Sequence, residues 1–203
     1  MIPAYLYKYI YLLLVTVLTL TVVKYRRSLR VNESITGSAL LCLFMVLFIG
    51  FRPVSIYFVD MVNYANWWGG TWWGFDWETE NLLFDNLFQY MGSIFPDGTV
   101  FFVLMAAIYF TGMLIVCRKL FPSNTLIVFL VCLAAFSTFS YGTNGIKAGA
   151  AASLFLVALA YRDNIVVSIF FLFLSWGFHH SMQMPVAAYV LTLIFKNKKW
   201  YFY

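Results

Sequence analysis

The sequence predicts an all-α protein: a polytopic transmembrane helical bundle of about seven spans, with an amphipathic helix at its outer interface. Of the 203 residues, 63% are hydrophobic and only 10% are charged, whereas a soluble domain carries about 25% charged residues. The mean hydropathy is +0.84. Because so few charges cannot cover a surface that faces water, and because the apolar residues fall into seven runs, lipid is the expected solvent.

The predicted spans follow the seven apolar runs in chain order. The runs cover residues 4–23, 35–51, 99–117, 125–139, 148–161, 165–178 and 182–195. A helix needs about 20 residues to cross the hydrocarbon core of a bilayer. The first four runs reach this length with their flanking residues. The last three are shorter, and they are alternatively partly buried or broken helices that line a cavity.

The basic residues orient this predicted bundle. Most of the 13 basic residues follow the first, third, fifth and seventh runs, which strict alternation places on one side of the membrane. They are Lys24, Arg26, Arg27, Arg30, Arg118, Lys119, Arg162, Lys196, Lys198 and Lys199. Since Lys and Arg mark the cytoplasmic side, the N-terminus is predicted outside. The same distribution explains the net charge of +5 without a basic surface for nucleic acid.

The segment between the second and third runs, about residues 52–98, is the outer loop of what is predicted to be a single integral membrane domain, 1–203. It holds five of the seven Trp residues and most of the acidic ones. Within it, apolar residues recur at spacings of three to five, which predicts the amphipathic helix. They are Leu82, Leu83, Leu87, Phe88 and Met91.

Four features are predicted to meet at the outer end of the bundle. They are Arg52, the pair Asp60 and Tyr64 at helical spacing, the segment from Asn144 to Lys147, and the pair His179 and His180. A simpler alternative holds for each, because charged and polar side chains at span ends also reach water by snorkelling.

Lys147 is the least easily explained by snorkelling. The small-residue spacing Gly145-x-x-x-Gly149 allows close helix packing, so Lys147 is expected to face the protein interior. Together with Arg52 it suits a phosphate or pyrophosphate group.

Other site chemistries find little support. The histidine pair has no further metal ligands at matched spacing nearby, so no metal is expected. The chain contains no Walker motif, nucleophile elbow or GxGxxG, and these absences argue against an ATPase or a serine hydrolase.

The acidic residues Asp76, Glu78 and Glu80 lie among Trp residues. Carboxylates and aromatic rings together suit sugars, although a solvated acidic loop is the simpler interpretation. The three cysteines lie in apolar runs and are interpreted as small apolar side chains.

Four short segments together resemble the EpsG family, the Wzy-like polymerases of bacterial exopolysaccharide and O-antigen. They are Phe51-Arg52 with Asp60 and Tyr64; Glu78 or Glu80 with Asn81-Leu82-Leu83-Phe84; Gly142-Thr143-Asn144-Gly145-Ile146-Lys147; and Phe178-His179-His180-Ser181 with Pro185. The resemblance covers about residues 50–185. The family usually has Arg followed by Gln where this chain has Lys147 and Ala148. It also usually continues for several more spans, so the sequence is compatible with a truncated or fragmentary member.

The resemblance implies a glycosyltransferase of the bacterial cytoplasmic (inner) membrane, which polymerises polyprenyl-pyrophosphate-linked oligosaccharide repeats for exopolysaccharide, O-antigen or capsule. Its expected partners are the lipid-linked glycan, the bilayer and other membrane proteins of polysaccharide assembly, and no cofactor is required. Arg52 and Lys147 would stabilise the leaving pyrophosphate, and Asp60 or, second, His180 would be the general base. The remaining expected substrate contacts are Tyr64, Glu80, Asn144 and His179.

Two alternatives stay open at this point. A transporter or flippase-like component would bind an anionic substrate with the same outer charges, but the sequence shows few charges in the middle of its spans. The second alternative is a non-catalytic membrane subunit, with which the short length of the chain agrees. Such a subunit would tolerate mutations on its outer face.

Overall fold

The computed structural model describes residues 2–25 and 31–194, and within these ranges the chain forms helices and no strands. Short 3₁₀ turns precede the first, sixth and tenth helices. The all-α prediction is confirmed for this part of the chain. The helices are α1 (Tyr7–Tyr25), α2 (Val31–Gly50), α3 (Val59–Asn66), α4 (Leu82–Ile94), α5 (Thr99–Leu120), α6 (Thr125–Ala134), α7 (Phe136–Thr143), α8 (Ile146–Ala160), α9 (Ile165–Phe178) and α10 (Gln183–Ile194).

The helix lengths do not confirm seven spans. Among the described residues, two helical stretches of 22 residues can cross a membrane by length and composition, Ala4–Tyr25 and Thr99–Leu120, since 22 residues give about 33 Å of helix. A third crossing results if Pro122–Ala134 and Phe136–Thr143 count as one span, although they are bent by 75°. The other apolar helices of the described residues are shorter, among them Ile35–Gly50, Ile146–Ala160 and Ile165–Phe178.

The bend between α6 and α7 occurs at Ala135, which adopts an extended conformation. The hydroxyl of Thr138 donates a hydrogen bond to the carbonyl of Cys132 at 2.6 Å. The side chain therefore satisfies a carbonyl group at the end of α6, where the helical hydrogen-bond pattern stops. The predicted run 125–139 is thus two helices rather than one straight span.

Helices α5, α8 and α9 form the centre of the bundle, and α2 packs on the other side of α5. Small residues permit the close approach: a Cβ at Gly112 of α5 would lie 2.9 Å from the Oγ atom of Ser153 on α8. Hydroxyl groups join neighbouring helices, as where Ser175 donates to the carbonyl of Ala151 at 2.7 Å. Such contacts are typical of helices packed within a membrane.

Helix α4 confirms the predicted amphipathic helix, and its apolar face packs on protein. Phe84 is buried in an aromatic cluster and contacts Phe178 at the end of α9. Leu83 packs directly on Gly177, where a larger residue would collide with it. The helix is therefore part of the core as well as of the surface.

The three cysteines are free thiols, and the Sγ atoms of Cys117 and Cys132 lie 3.8 Å apart between α5 and α6.

Several of the basic residues that orient the predicted bundle lie outside the described residues. They are Arg26, Arg27, Arg30, Lys196, Lys198 and Lys199. The orientation stays a prediction.

Candidate functional site

Six polar residues gather where the N-terminal ends of α4 and α8 meet the C-terminal end of α9, and we name them the polar cluster. Four were predicted site residues, and two were not. The members are Glu80, Asn81, Asp85, Lys147, His179 and His180. Segments far apart in sequence thus meet at one end of the bundle.

Asn81 is the buried centre of the polar cluster. Its backbone N–H and its side-chain Nδ2 both donate to Oδ2 of Asp85, at 3.0 and 3.3 Å. Its Oδ1 accepts a hydrogen bond from the backbone N–H of His180 at 3.1 Å. Asn81 therefore fixes the start of α4 to the histidine pair. These bonds give both the donor and the acceptor of its buried amide a partner.

His180 faces two acceptors with its Nδ1 atom. That nitrogen lies 3.3 Å from Oε1 of Glu80 and 3.3 Å from Oδ1 of Asn81. Since both oxygens are acceptors, the neutral ring carries its proton on Nδ1, which leaves the lone pair of Nε2 available. The side chain of His180 is 45% exposed, so a substrate hydroxyl can reach it.

Lys147 supplies the cation of the cluster. Its Nζ lies 3.8 Å from Oδ1 of Asp85, and the two side chains are 28% and 27% exposed. The ammonium group also sits over the rings of Phe84 and Tyr64, 5.1 and 6.0 Å from their centroids. An aromatic floor and one carboxylate thus hold a partly shielded positive charge.

His179 stands beside these groups in its neutral form. Burial lowers its pKa, as do the neighbouring His180 and Lys147, while Glu80 and Asp85 act in the opposite direction. Its Nδ1 accepts a hydrogen bond from the backbone N–H of Ser181 at 3.2 Å. The neutral ring therefore carries its proton on Nε2 and presents a hydrogen-bond donor.

Tyr64 forms part of the floor beneath Lys147, and Asp60 lies one turn earlier on α3. Burial raises the pKa of Tyr64, and the carboxylates of Asp60 and Asp85 raise it further. Tyr64 is therefore a neutral phenol at physiological pH. Asp60 is half-buried, and within residues 2–25 and 31–194 no hydrogen bond joins it to the polar cluster.

Arg52 is only 4% exposed, and its guanidinium bonds to backbone carbonyls. Its Nη1 and Nη2 donate to the carbonyls of Ile49 and Thr143, both at 2.7 Å. The guanidinium is also stacked near Phe58 and Phe102. Burial lowers its pKa to about 10, which still leaves it charged at neutral pH.

The contacts of Arg52 give it a structural position. It joins the C-terminal end of α2 to that of α7, where the helix dipole favours a cation. Among the described residues, its Nε finds no hydrogen-bond partner, and neither does the buried Oδ1 of Asn144, the next residue after Thr143. Of the residues predicted to converge, the structure brings Lys147 and His180 into one cluster. Within the described residues, no hydrogen bond or ion pair joins Arg52 or Asp60 to that cluster.

The Trp-rich part of the outer loop, residues 67–77, lies against the start of α4, where Asn86 anchors it. The buried Asn86 amide donates to the carbonyls of Asp76 and Leu82 and accepts from the N–H of Asp76. Trp73 and Trp77 remain 91% and 76% exposed. Exposed indole rings held near carboxylates are suited to stacking on sugars.

Sequence reasoning missed Asn81 and Asp85 as site residues. One signal was available, since the pair has the spacing of one helical turn and begins the amphipathic helix, where Asn and Asp side chains commonly bond to backbone N–H groups. The partner of Asn81 could not be predicted from the sequence, because His180 is 99 residues away.

Among the described residues, no group of three His, Cys, Asp or Glu side chains is placed to hold a metal ion.

Comparison with known proteins gives one match. The sequence profile of the EpsG family matches residues 35–203. The matched region contains the whole polar cluster, Arg52 and Asp60, and it leaves out α1. No curated protein and no solved structure matches the chain.

Proposed function

The chain belongs to the EpsG family, and from this premise we propose that it polymerises polyprenyl-pyrophosphate-linked oligosaccharide repeats as a membrane glycosyltransferase. Family membership points to a polymerase role in membrane polysaccharide biosynthesis. One observation above all supports the proposed glycosyl transfer: Lys147 lies in the same cluster as the His180–Glu80 pair. Glycosyl transfer from a pyrophosphate is favoured by a cation that stabilises the leaving group and by a general base that accepts the hydroxyl proton.

The proposed reaction takes place on the outer face of the bacterial cytoplasmic membrane, with the N-terminus outside and residues 1–203 acting as one domain. A hydroxyl oxygen of the incoming repeat attacks the anomeric carbon of the growing chain. The bond between that carbon and the pyrophosphate oxygen breaks as the new glycosidic bond forms. The hydroxyl proton passes to the base, and polyprenyl pyrophosphate leaves with its electron pair.

In this proposal Lys147 stabilises the negative charge that develops on the leaving pyrophosphate. It is the second residue of α8, so the positive end of the helix dipole adds to its charge. Asp85 neutralises Lys147 while the site is free, and the pyrophosphate displaces it. The adjacent neutral His179 donates a hydrogen bond to the same anion from Nε2.

His180 is the proposed base, through Nε2. Glu80 and Asn81 hold the opposite nitrogen in its protonated form, and Glu80 stabilises the imidazolium that forms when the proton is taken. The pair follows the general rule that a third group orients a catalytic base. Asp60 stays the other proposed base, reaching substrate from the turn before Tyr64.

Arg52 is proposed as a positioning residue. By holding the carbonyl of Thr143, it fixes the junction between α7 and α8, from which Asn144 and Lys147 project. Tyr64, Asn144, Glu80 and the exposed Trp residues are the proposed contacts to sugar hydroxyls and rings.

The test is the length distribution of lipid-linked and cell-surface glycans in a strain that lacks the gene. Cells are complemented with the wild-type chain, with Lys147→Ala, or with Lys8→Ala as the matched control. Lys8 is exposed on α1 and outside the polar cluster. We expect long ladders with the wild type and the control, and single repeats with Lys147→Ala at equal protein in the membrane. Long ladders with Lys147→Ala would refute the site, and an unchanged ladder in the deletion would refute polymerisation.

A further inference from the structure

A second basic feature lies at the other end of the central helices. Within the described residues, a cleft of about 390 Å³ is lined by Ile115, Arg118, Lys119 and Tyr161. Helices α5 and α8 begin in the same aromatic core that supports the polar cluster, and Lys119 contacts Tyr161 where they end. Since Lys147 and Tyr161 are separated by the length of α8, the cleft is about 20 Å from the polar cluster.

The basic side chains of the cleft form no ion pair with a carboxylate of the described residues. Arg118 and Lys119 are both exposed, and the ion pairs of the described residues involve neither of them. The ammonium of Lys119 is 5.1 Å from the ring centroid of Tyr161, which places it at the wall of the cleft. An arginine fork and a lysine charge around one concave space are suited to a phosphate group.

The apolar part of the cleft distinguishes a lipid from a free anion. Ile115 lies one turn before Lys119 on α5, so the lining changes from charged to apolar toward the middle of the helix. Helix α5 is one of the stretches long enough to cross a membrane, and a helix of this length that crosses the bilayer ends at the depth of the lipid headgroups. We propose that the cleft binds an anionic lipid, with its phosphate between Arg118 and Lys119 and its chain along Ile115.

The expected contribution follows from the two charges. Each Lys or Arg near an anionic headgroup strengthens binding about 5-fold. The double variant Arg118→Gln/Lys119→Gln should therefore bind phosphatidylglycerol about 25-fold more weakly than the wild type at low salt. Raising the salt concentration should narrow this difference, because exposed charges are screened.

The experiment titrates the purified full chain in neutral detergent with phosphatidylglycerol and follows bound lipid by native mass spectrometry. Phosphatidylcholine and inorganic phosphate are titrated in parallel. The matched control is Lys8→Gln/Lys24→Gln, which removes the same charge from exposed positions of α1. We expect tight phosphatidylglycerol binding in the wild type and the control, and weak binding in the cleft variant.

Three outcomes would overturn the proposal. They are equal phosphatidylglycerol binding by the cleft variant and the wild type, equal binding of phosphatidylcholine, and competition by inorganic phosphate at the same concentration as the lipid, which would indicate a free-phosphate site. If the double variant does not fold, Lys119→Gln alone should lose about 5-fold and Lys119→Arg should lose none. These readouts measure lipid binding, so they stand apart from the test of polymerisation.

Discussion

Replacing Asp85 by Asn should strengthen the binding of a pyrophosphate, because Asp85 neutralises the cation that the pyrophosphate needs. The Nζ of Lys147 and Oδ1 of Asp85 are 3.8 Å apart, and both side chains are about a quarter exposed. Unit charges 4 Å apart interact by about 1 kcal/mol in water and about 4 kcal/mol near a protein surface. Partial exposure favours the lower part of this range. About 1.4 kcal/mol corresponds to a tenfold gain in affinity.

The substitution leaves the local structure in place. Asn has the volume of Asp, and its side-chain oxygen can still accept the hydrogen bonds that Asn81 donates. The assay is isothermal titration of the purified chain with geranyl pyrophosphate, a short soluble prenyl pyrophosphate. We expect a dissociation constant about tenfold lower for Asp85→Asn than for the wild type. Lys147→Ala in the same background should bind more weakly than the wild type.

The matched control is Asp97→Asn, which removes the same charge from an exposed turn before α5. It should bind geranyl pyrophosphate as the wild type does. Unchanged or weaker binding by Asp85→Asn would refute the idea that this carboxylate competes with the ligand. Equal strengthening by Asp97→Asn would show that overall charge, rather than the ion pair with Lys147, controls binding.

Three further predictions test other parts of the structure. Arg52→Lys loses at least one charged hydrogen bond, worth about 1.5–3 kcal/mol, so the melting temperature in detergent should fall; an unchanged value would contradict the helix-joining role. Because the pKa of His179 is lowered in the folded chain, the unfolded chain binds more protons. The free energy of unfolding should therefore fall as the pH drops below about 6.5. His179→Gln should weaken that fall, and an identical pH profile would contradict the prediction. Oxidation with copper phenanthroline should join Cys117 to Cys132, whose Sγ atoms are 3.8 Å apart. One thiol should then react with maleimide in the wild type and none in Cys42→Ser, whereas retention of all thiols would contradict the packing of α5 on α6.

The sequence predicted the helical class because apolar composition and run length depend only on local residues. It did not predict the break at Ala135, since nothing in the apolar run around it signals an end to the helix. The hydroxyl of Thr138 satisfies the break, and such a bond becomes visible only in three dimensions. The number of spans stays a prediction for the same reason, because several apolar helices are too short to settle it by length.

The candidate site was predicted in part. Lys147 and the histidine pair stood out because charged and titratable groups beside apolar runs need a partner. Arg52 also stood out, but the same signal fits an anion site and a buried link between helix ends, and the structure places its guanidinium on two backbone carbonyls. Asn81 was not identified, because an uncharged residue shows its role only through the distant groups that it joins.

The most direct test of polymerisation is reconstitution of the purified chain in liposomes with one lipid-pyrophosphate-linked oligosaccharide repeat as the sole substrate. We expect products in integral multiples of the repeat, and one polyprenyl pyrophosphate released for each new glycosidic bond. Lys147→Ala should give neither product, and Lys8→Ala should give both. Single repeats that persist with folded wild-type protein, or equal products from Lys147→Ala, would contradict the account.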